Sequence, residues 1–441
     1  MSRDLIDGEV TASLRSRIVK NLGIGAGVVD AAMSSLATFL GGLVAANILG
    51  EAELGVYAVF FTAFNFGQVI ANNLIYIPAE VAAVAWPAEN RTRVLTQSIP
   101  YGVLPSLIGA AAIGIASLVA AQISTAEVVV PLTITAAITT FLWPTQDHIR
   151  RMLHIADRSW AAAVVSAAQF AIAAAAIGVL IAMDVAAAWI PFGALAVANL
   201  ISLLLGFVLA RPATSESAPE RLDPRGLTRS GIWLMTGVGI PPITAFAAAS
   251  IITFAAGPEV LGFAEAARVA AHPVLVLGTG LGYVMGPRIM RGAIARDIEV
   301  SRHNHRRFNR FLIVAASVYA LVIGFDWIGN PMALLVPKAY TIEWLVVASV
   351  LANILMGAMV LVLQELTAAR RSRTIAFVSM ISAPFQLLAA GTAGVTEAFA
   401  RPISLVVGNG ARLFGNTRAI GSIYDGAAGS DTGEAFVGHS R

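Results

Sequence analysis

Apolar residues run along this chain in long stretches, separated by short polar or arginine-bearing segments. A helix needs roughly 20 apolar residues to cross about 30 Å of hydrocarbon. Runs of that kind occupy residues 22–49, 57–84, 101–121, 128–143, 160–183, 186–209, 232–256, 263–286, 311–328, 344–363 and 375–393, and each predicts a transmembrane helix. A twelfth run, 395–410, is interrupted by Arg401-Pro402. Residues 1–21 carry Leu5, Ile6, Leu14 and Ile18 among charges, a spacing that predicts an amphipathic helix resting on the lipid surface.

Only one stretch between the runs is long, polar and proline-rich, residues 211–231, and it divides the runs into six and six. An even number of spans before the linker starts the second half from the same side as the first. The expected organisation is an N-terminal six-helix bundle (1–210), a cytoplasmic linker (211–231), a C-terminal bundle (232–420) and a disordered tail rich in Gly, Ser and Asp (421–441). A repeat supports two related halves. Gly50-Glu-Ala-Glu-Leu54-Gly55-Val56 returns without a gap as Gly257-Pro-Glu-Val-Leu261-Gly262-Phe263, in each case between two long apolar segments. The fold class that follows is an all-α integral membrane protein with about 12 transmembrane helices in two pseudo-symmetric six-helix bundles around a central cavity.

The second run carries the most informative polar pattern. At about 100° per residue, Asn65, Gln68, Asn72, Tyr76 and Glu80 fall on one face, away from Phe60, Phe61 and Phe64. Polar groups facing hydrocarbon cost several kcal/mol each if unpaired, so this face is expected to line a cavity, with hydrogen bonding between helices as the plainer reading. Pro78 is expected to bend or end the helix. A shift of 207 residues, which superposes Gly50 on Gly257, sets Asn65 over His272 and Tyr76 over Tyr283; Arg268, His272, Thr279 and Tyr283 again share one face. Arg268 cannot be deprotonated and needs an anion, either Glu265 at i−3 or a ligand phosphate, and the two are not exclusive. In the first run Asp30, Ser34 and Thr38 share a face, and a carboxylate inside a span is a functional hypothesis by default, with arginine or headgroup pairing as the alternative. Pro273 and Pro241-Pro242 predict interrupted helices in the second half.

Composition agrees with the pattern: 57% of residues are hydrophobic, 12% charged, and the mean hydropathy is +0.77. The net charge of +3 and pI near 9.4 do not indicate nucleic acid, because the basic residues alternate with the loops. Arg3, Arg15, Arg17 and Lys20, then Arg91 and Arg93, Arg150, Arg151 and Arg158, Arg211 to Arg229, the arginines from 288 to 310, and Arg370, Arg371 and Arg373 all fall on one side, against Lys338 on the other. This is the positive-inside pattern, which places the N-terminus in the cytoplasm. With no cysteine, thiol catalysis and thiolate metal sites are excluded. The first run is too long for a signal peptide and reads as a retained span. His303 and His305 lie in what reads as a basic, solvated loop, so no metal site is expected. Gly278, Gly280 and Gly282 lack dinucleotide-loop spacing, and Gly278, Gly282 and Gly286 form a small-residue helix face instead.

The hairpin around LGEAELGVY, its echo GPEVLGFAEAARVAAHPVLVLGTGLGYVMGPRIM and the twelve-span plan resemble the polysaccharide-exporter branch of the multidrug, oligosaccharidyl-lipid and polysaccharide exporter superfamily. The resemblance implies a non-enzymatic flippase of a bacterial-type plasma membrane. Such a protein moves an undecaprenyl-pyrophosphate-linked oligosaccharide by alternating access, alongside polysaccharide biosynthesis enzymes. It implies that Arg268, with His272, meets the pyrophosphate, that Asn65, Gln68, Asn72, Tyr76, Thr279 and Tyr283 line the cavity, and that Asp30 or Glu80 carries a coupling H+ or Na+. A drug/cation antiporter of the same fold is the alternative, with Asp30 as its cation site. A membrane glycan polymerase or ligase fits less well, since the longest outer loop, about 329–343, is short.

Overall fold

The computed structural model describes residues 3–83, 86, 88–211, 222–325, 327, 329–340 and 342–424. Its long helices are α1 (Arg3–Ile48), α2 (Glu51–Ala83), α3 (Ile99–Ala120), α4 (Ala126–Ile155), α5 (Ser159–Ala182), α6 (Ile190–Leu209), α7 (Pro224–Ala256), α8 (Pro258–Ala295), α9 (Ile298–Gly324), α10 (Leu345–Ala368), α11 (Ser372–Ala390) and α12 (Ala400–Tyr424). Among the described residues, 11 helices are long and apolar enough to cross a membrane. The remaining long helix, α12, carries Arg401, Asn409, Arg412, Asn416 and Arg418, and it packs along α10 and α11 as a full 25-residue member of the second bundle. Pro402 does not interrupt it. The proline lies in the first turn, where its missing N–H leaves no helical bond unmade. The helix also runs past 421, to Tyr424; the rest of the expected tail, 425–441, lies outside the described residues.

The pairings of the first bundle recur six helices later. α1 packs on α5, α2 on α3 and α4, α3 on α4, α4 on α6, and α5 on α6; in the second bundle α7 packs on α11, α8 on α9 and α10, α9 on α10, α10 on α12, and α11 on α12. Between the bundles, α2 meets α8, while α1 meets α8 and α2 meets α7. Exchanging the halves turns the first contact into itself and the other two into each other. That is the relation a pseudo-twofold axis between α2 and α8 requires.

The sequence repeat sits on this axis. A Cβ on Gly55 would lie 1.8 Å from the carbonyl oxygen of Pro258, and one on Gly262 would lie 2.1 Å from that of Glu51. The 207-residue shift converts Glu51 to Pro258 and Gly55 to Gly262, so the two markers pack reciprocally against each other. Glycine is needed at both places because backbone meets backbone. The seal is extended by the segment before α10. Asn47 donates to the Leu335 carbonyl at 3.0 Å and the Tyr340 hydroxyl to the Leu49 carbonyl at 2.7 Å, while Phe263 stands edge-on to Tyr340 at 5.8 Å. Burial, reinforced by Glu51 and Glu53, pushes the Tyr340 phenol above its ordinary pKa and keeps it a donor.

Several helices extend beyond their apolar runs. α4 continues to Ile155, about three turns beyond the end of its apolar run, and takes in Asp147, Arg150 and Arg151. α9 begins at Ile298 and takes in His303 and His305, which were expected in a loop. α7 begins at Pro224, with the Asp223 side chain accepting from the backbone of Arg225 and Gly226 at 3.0 Å; within the expected linker, 212–221 lies outside the described residues. Nor is α1 preceded by a separate surface helix, since its backbone is helical from Arg3 to Ile48.

The prolines do not end their helices either, and neighbouring helices donate to backbone carbonyls around them. Pro241 leaves the Gly237 carbonyl without its helical donor, and Ser379 on α11 supplies one at 3.0 Å. Beside Pro273, Tyr319 donates to the Ala270 carbonyl at 2.6 Å and Asn353 to that of Ala271 at 2.8 Å. The small-residue face of α8 lies against α10, where a Cβ on Gly282 would lie 2.5 Å from Val360 and one on Gly286 1.9 Å from Gln364.

Candidate functional site

Below the glycine contact, the surfaces of the two bundles carry a buried charge cluster. Glu265, fully buried on α8, accepts from Arg268 Nε at 2.9 Å and Nη2 at 2.6 Å, the i−3 pair that helical spacing allows. Arg401 Nη2, from the first turn of α12, lies 3.1 Å from Glu265 Oε2, the oxygen that also accepts from Arg268 Nε. The Arg268 guanidinium also lies 4.3 Å over the ring of Phe61, on α2 of the opposite bundle, a cation–π contact across the interface. One turn on, His272 stacks on Phe39 of α1 with centroids 5.8 Å apart and planes 5° from parallel. Two guanidiniums and one carboxylate leave a surplus of one positive charge. Arg401 Nη1 and the Tyr57 hydroxyl, which is within electrostatic reach of Glu265 and Arg268, are buried with no hydrogen-bond partner. Arg268 keeps 18% of its side chain exposed and is the open side of the cluster.

The polar stripe of α2 does not stay on one face. Residues Asn72–Tyr76 form a π turn, with the Ile77 N–H bonded to the Asn72 carbonyl. One extra residue in a turn rotates everything after it by about 100°. Asn65 and Gln68 precede the turn, remain half-buried and bond each other at 3.0 Å. Asn72, Tyr76 and Glu80 are turned into the first bundle instead. Tyr76 is fully buried, stacks on His148 at 4.3 Å and bonds Thr145 at 2.9 Å. The same π turn carries the helix past Pro78 to Ala83, and α7 seats its Gly231 against the loosened carbonyls, where a Cβ would lie 2.2 Å from that of Leu74. In α8, Thr279 donates to its own helix at Leu275 and Val276 and remains half-buried. Tyr283 lies on the α8 backbone, but its side chain is outside the described residues.

Glu80 and Asp30 belong to a network built by the extension of α4. Glu80 accepts from Arg151 Nε at 2.9 and 3.0 Å and lies 2.7 Å from His148 Nδ1, while Arg151 reaches Asn72 at 2.9 Å. Asp147 links Arg151 to Arg150, and Arg150 lies 3.6 Å from Asp30. Asp30 accepts from Ser166 at 2.5 Å and lies 3.0 Å from His154. In the second bundle, buried Glu365 lies 2.6 Å from both His305 and Ser301 and also bonds Tyr424. Each network lies near the arginine-rich end of its bundle and ties several of its helices together. A buried carboxylate of this kind is held because leaving it unpaired is costly.

Several residues of these sites escaped sequence reasoning. Arg401 was read only as an interruption. His148, Arg151 and His154 follow the end of the fourth apolar run, where the sequence carries no apolar periodicity, and His305 lies in what reads as a solvated loop. A usable signal was present for α4: Asp147, Arg150 and Arg151 are spaced i, i+3, i+4, which pairs charges only on a helix. Nothing local marks Glu365 as the partner of His305.

No family model matches the sequence, and no curated protein matches it. Solved structures do. The inward-facing conformation of a multidrug resistance MATE family transporter of the MOP superfamily superposes with a TM-score of 0.68 at 13% identity, over 90% of this chain and 96% of that one. The eukaryotic MATE transporter AtDTX14 gives 0.66 at 14% identity, over 92% and 95%. An outward-facing conformation of a multidrug resistance MATE family transporter gives 0.59 at 15%, over 91% and 96%. With its two six-helix bundles related about α2 and α8, this chain has the membrane-transporter fold of the MATE proteins of the MOP superfamily.

Proposed function

We propose that this chain is a carrier for a polyprenyl-diphosphate-linked oligosaccharide, moved across a bacterial-type plasma membrane by alternating access of the two bundles. The observation that carries the reading is the charge cluster between them. Its one carboxylate is already claimed by two arginines, so the surplus is positive and suits a diphosphate better than a cationic drug. Arg268, reached from the interface, is the first contact for the diphosphate, with His272 beside it. Asn65, Gln68 and Thr279, half-buried on α2 and α8, hydrogen-bond the sugars. The arginine-rich end faces the cytoplasm by the positive-inside rule. The reciprocal glycine contact then closes the external end, and the substrate is loaded from the inner leaflet. Asp30, whose partner His154 keeps 27% of its side chain exposed, is the better coupling carboxylate; Glu80 is held by an arginine and a sealed histidine.

The test is genetic and chemical. Deleting the gene, or replacing Arg268 by Ala, should make polyprenyl-linked glycans accumulate on the inner leaflet. Normal export in Arg268→Ala removes this residue from the mechanism. Drug sensitivity with intact surface polysaccharide in the deletion strain supports the antiporter in its place.

A further inference from the structure

Glu265 is an unusual thing to place in the path of an anion. It is fully buried, occupies two N–H groups of Arg268 and lies 3.1 Å from Arg401 Nη2. We propose that Glu265 is a resident counter-ion in an anion subsite formed by Arg268 and Arg401 together, and that an incoming diphosphate takes over both guanidiniums from it. The inference rests on the anionic-substrate reading above and adds to it the second arginine, from α12, and a built-in competitor.

Chemistry and geometry favour exchange over a permanent salt bridge. A guanidinium fork fits a carboxylate and a phosphoryl group equally well, so the same N–H groups can serve either anion. The carboxylate leaves the cluster incompletely satisfied, because Arg401 Nη1 and the Tyr57 hydroxyl are buried without partners. A diphosphate brings more charge and more acceptor oxygens than a carboxylate, enough to reach those two donors as well as the forks. Entry is from Arg268, which lies roughly 16 Å along α8 from Gly257 by helical rise. The groups facing the cluster are few. Tyr57 and Phe61 come from α2, Phe39 from α1 through its stack on His272, and Arg401 from α12. Tyr319 of α9 and Asn353 of α10 are committed to the carbonyls of Ala270 and Ala271. Thr253 near the end of α7 donates to its own helix. Among the described residues, nothing but Glu265 offers these two arginines a negative charge.

The experiment is titration of the purified full-length protein with inorganic pyrophosphate, followed by calorimetry. Glu265→Gln should bind about tenfold more tightly than the wild type, since the competitor is gone while the shape is kept. Adding Arg401→Gln to Glu265→Gln should reverse the gain. If the glutamine variant does not fold, Glu265→Asp, which shortens the arm by one methylene, should still bind more tightly than the wild type. Equal affinity of wild type and Glu265 variants overturns the proposal. Farnesyl diphosphate and cellular glycan export separate the two readings. A gain in pyrophosphate affinity in Glu265→Gln, together with unaltered glycan export in the deletion strain, keeps the exchange and discards the glycan substrate.

Discussion

At the scale of single residues, burial divides the polar side chains of the spans into two kinds. Arg268, Asn65 and Gln68 keep partial exposure at the junction of the bundles, whereas Tyr76, Glu80 and His148 are locked inside the first bundle. Glu80 shows what the second kind does. Its carboxylate engages Arg151 and His148, so removing it takes one of two carboxylate partners from Arg151, which keeps Asp147, and leaves the buried His148 Nδ1 without its own. Glu80→Ala should therefore cost about 1–3 kcal/mol, the usual penalty for leaving a buried polar group unsatisfied, and Glu80→Gln less. Thermal unfolding of the purified variants reads this directly. An unchanged midpoint for Glu80→Ala would show that this carboxylate is solvated after all and would return it to the cavity. Glu265, by contrast, is held by more positive charge than it can neutralise, which is the arrangement of a site and not only of a brace.

At the scale of elements, the decisive features are places where a helix departs from ideal repetition. The π turn in α2 rotates the end of the helix toward α4 and frees carbonyls for α7, Pro241 of α7 passes its unmet hydrogen bond to α11, and α9 and α10 donate to carbonyls of α8 beside Pro273. The reciprocal glycines at the starts of α2 and α8 are the counterpart, a place where two elements come closer than any side chain permits. Gly55→Ala and Gly262→Ala should each push the helix starts apart. Overpacking of this kind typically costs about 1–3 kcal/mol, charged only to the state in which this end is closed. A cysteine at Leu54, in a chain with no other thiol, should then react several-fold faster with a membrane-impermeant maleimide than in the glycine background. Identical labelling rates in both backgrounds would mean that the contact is not a gate.

At the scale of the whole molecule, the pseudo-twofold arrangement requires the bundles to separate at one end as they close at the other, if the carrier reading holds. The bonds from Asn47 to Leu335 and from Tyr340 to Leu49 bridge the bundles at the arginine-poor end and must break in that exchange. Cysteines at 47 and 335 joined by a short, reducible thiosulfonate linker should stop transport, and reduction should restore it. Full transport by the linked protein would place the moving surfaces elsewhere. Hydropathy and arginine placement alone determined the all-helical membrane class, the positions of the apolar helices, the one-sided clustering of arginines and the division into halves, because lipid imposes these on composition and order. The repeat even marked the axis, since backbone contact admits only glycine. What only the tertiary structure decided is which polar residues meet. The π turn broke the periodicity on which the α2 stripe relied, α4 and α9 ran on into segments whose charges looked like loops, and Arg401 reached Glu265 from 136 residues away in sequence. A buried charge is tolerated only by the partner that folding brings to it, and local sequence does not say which partner that is.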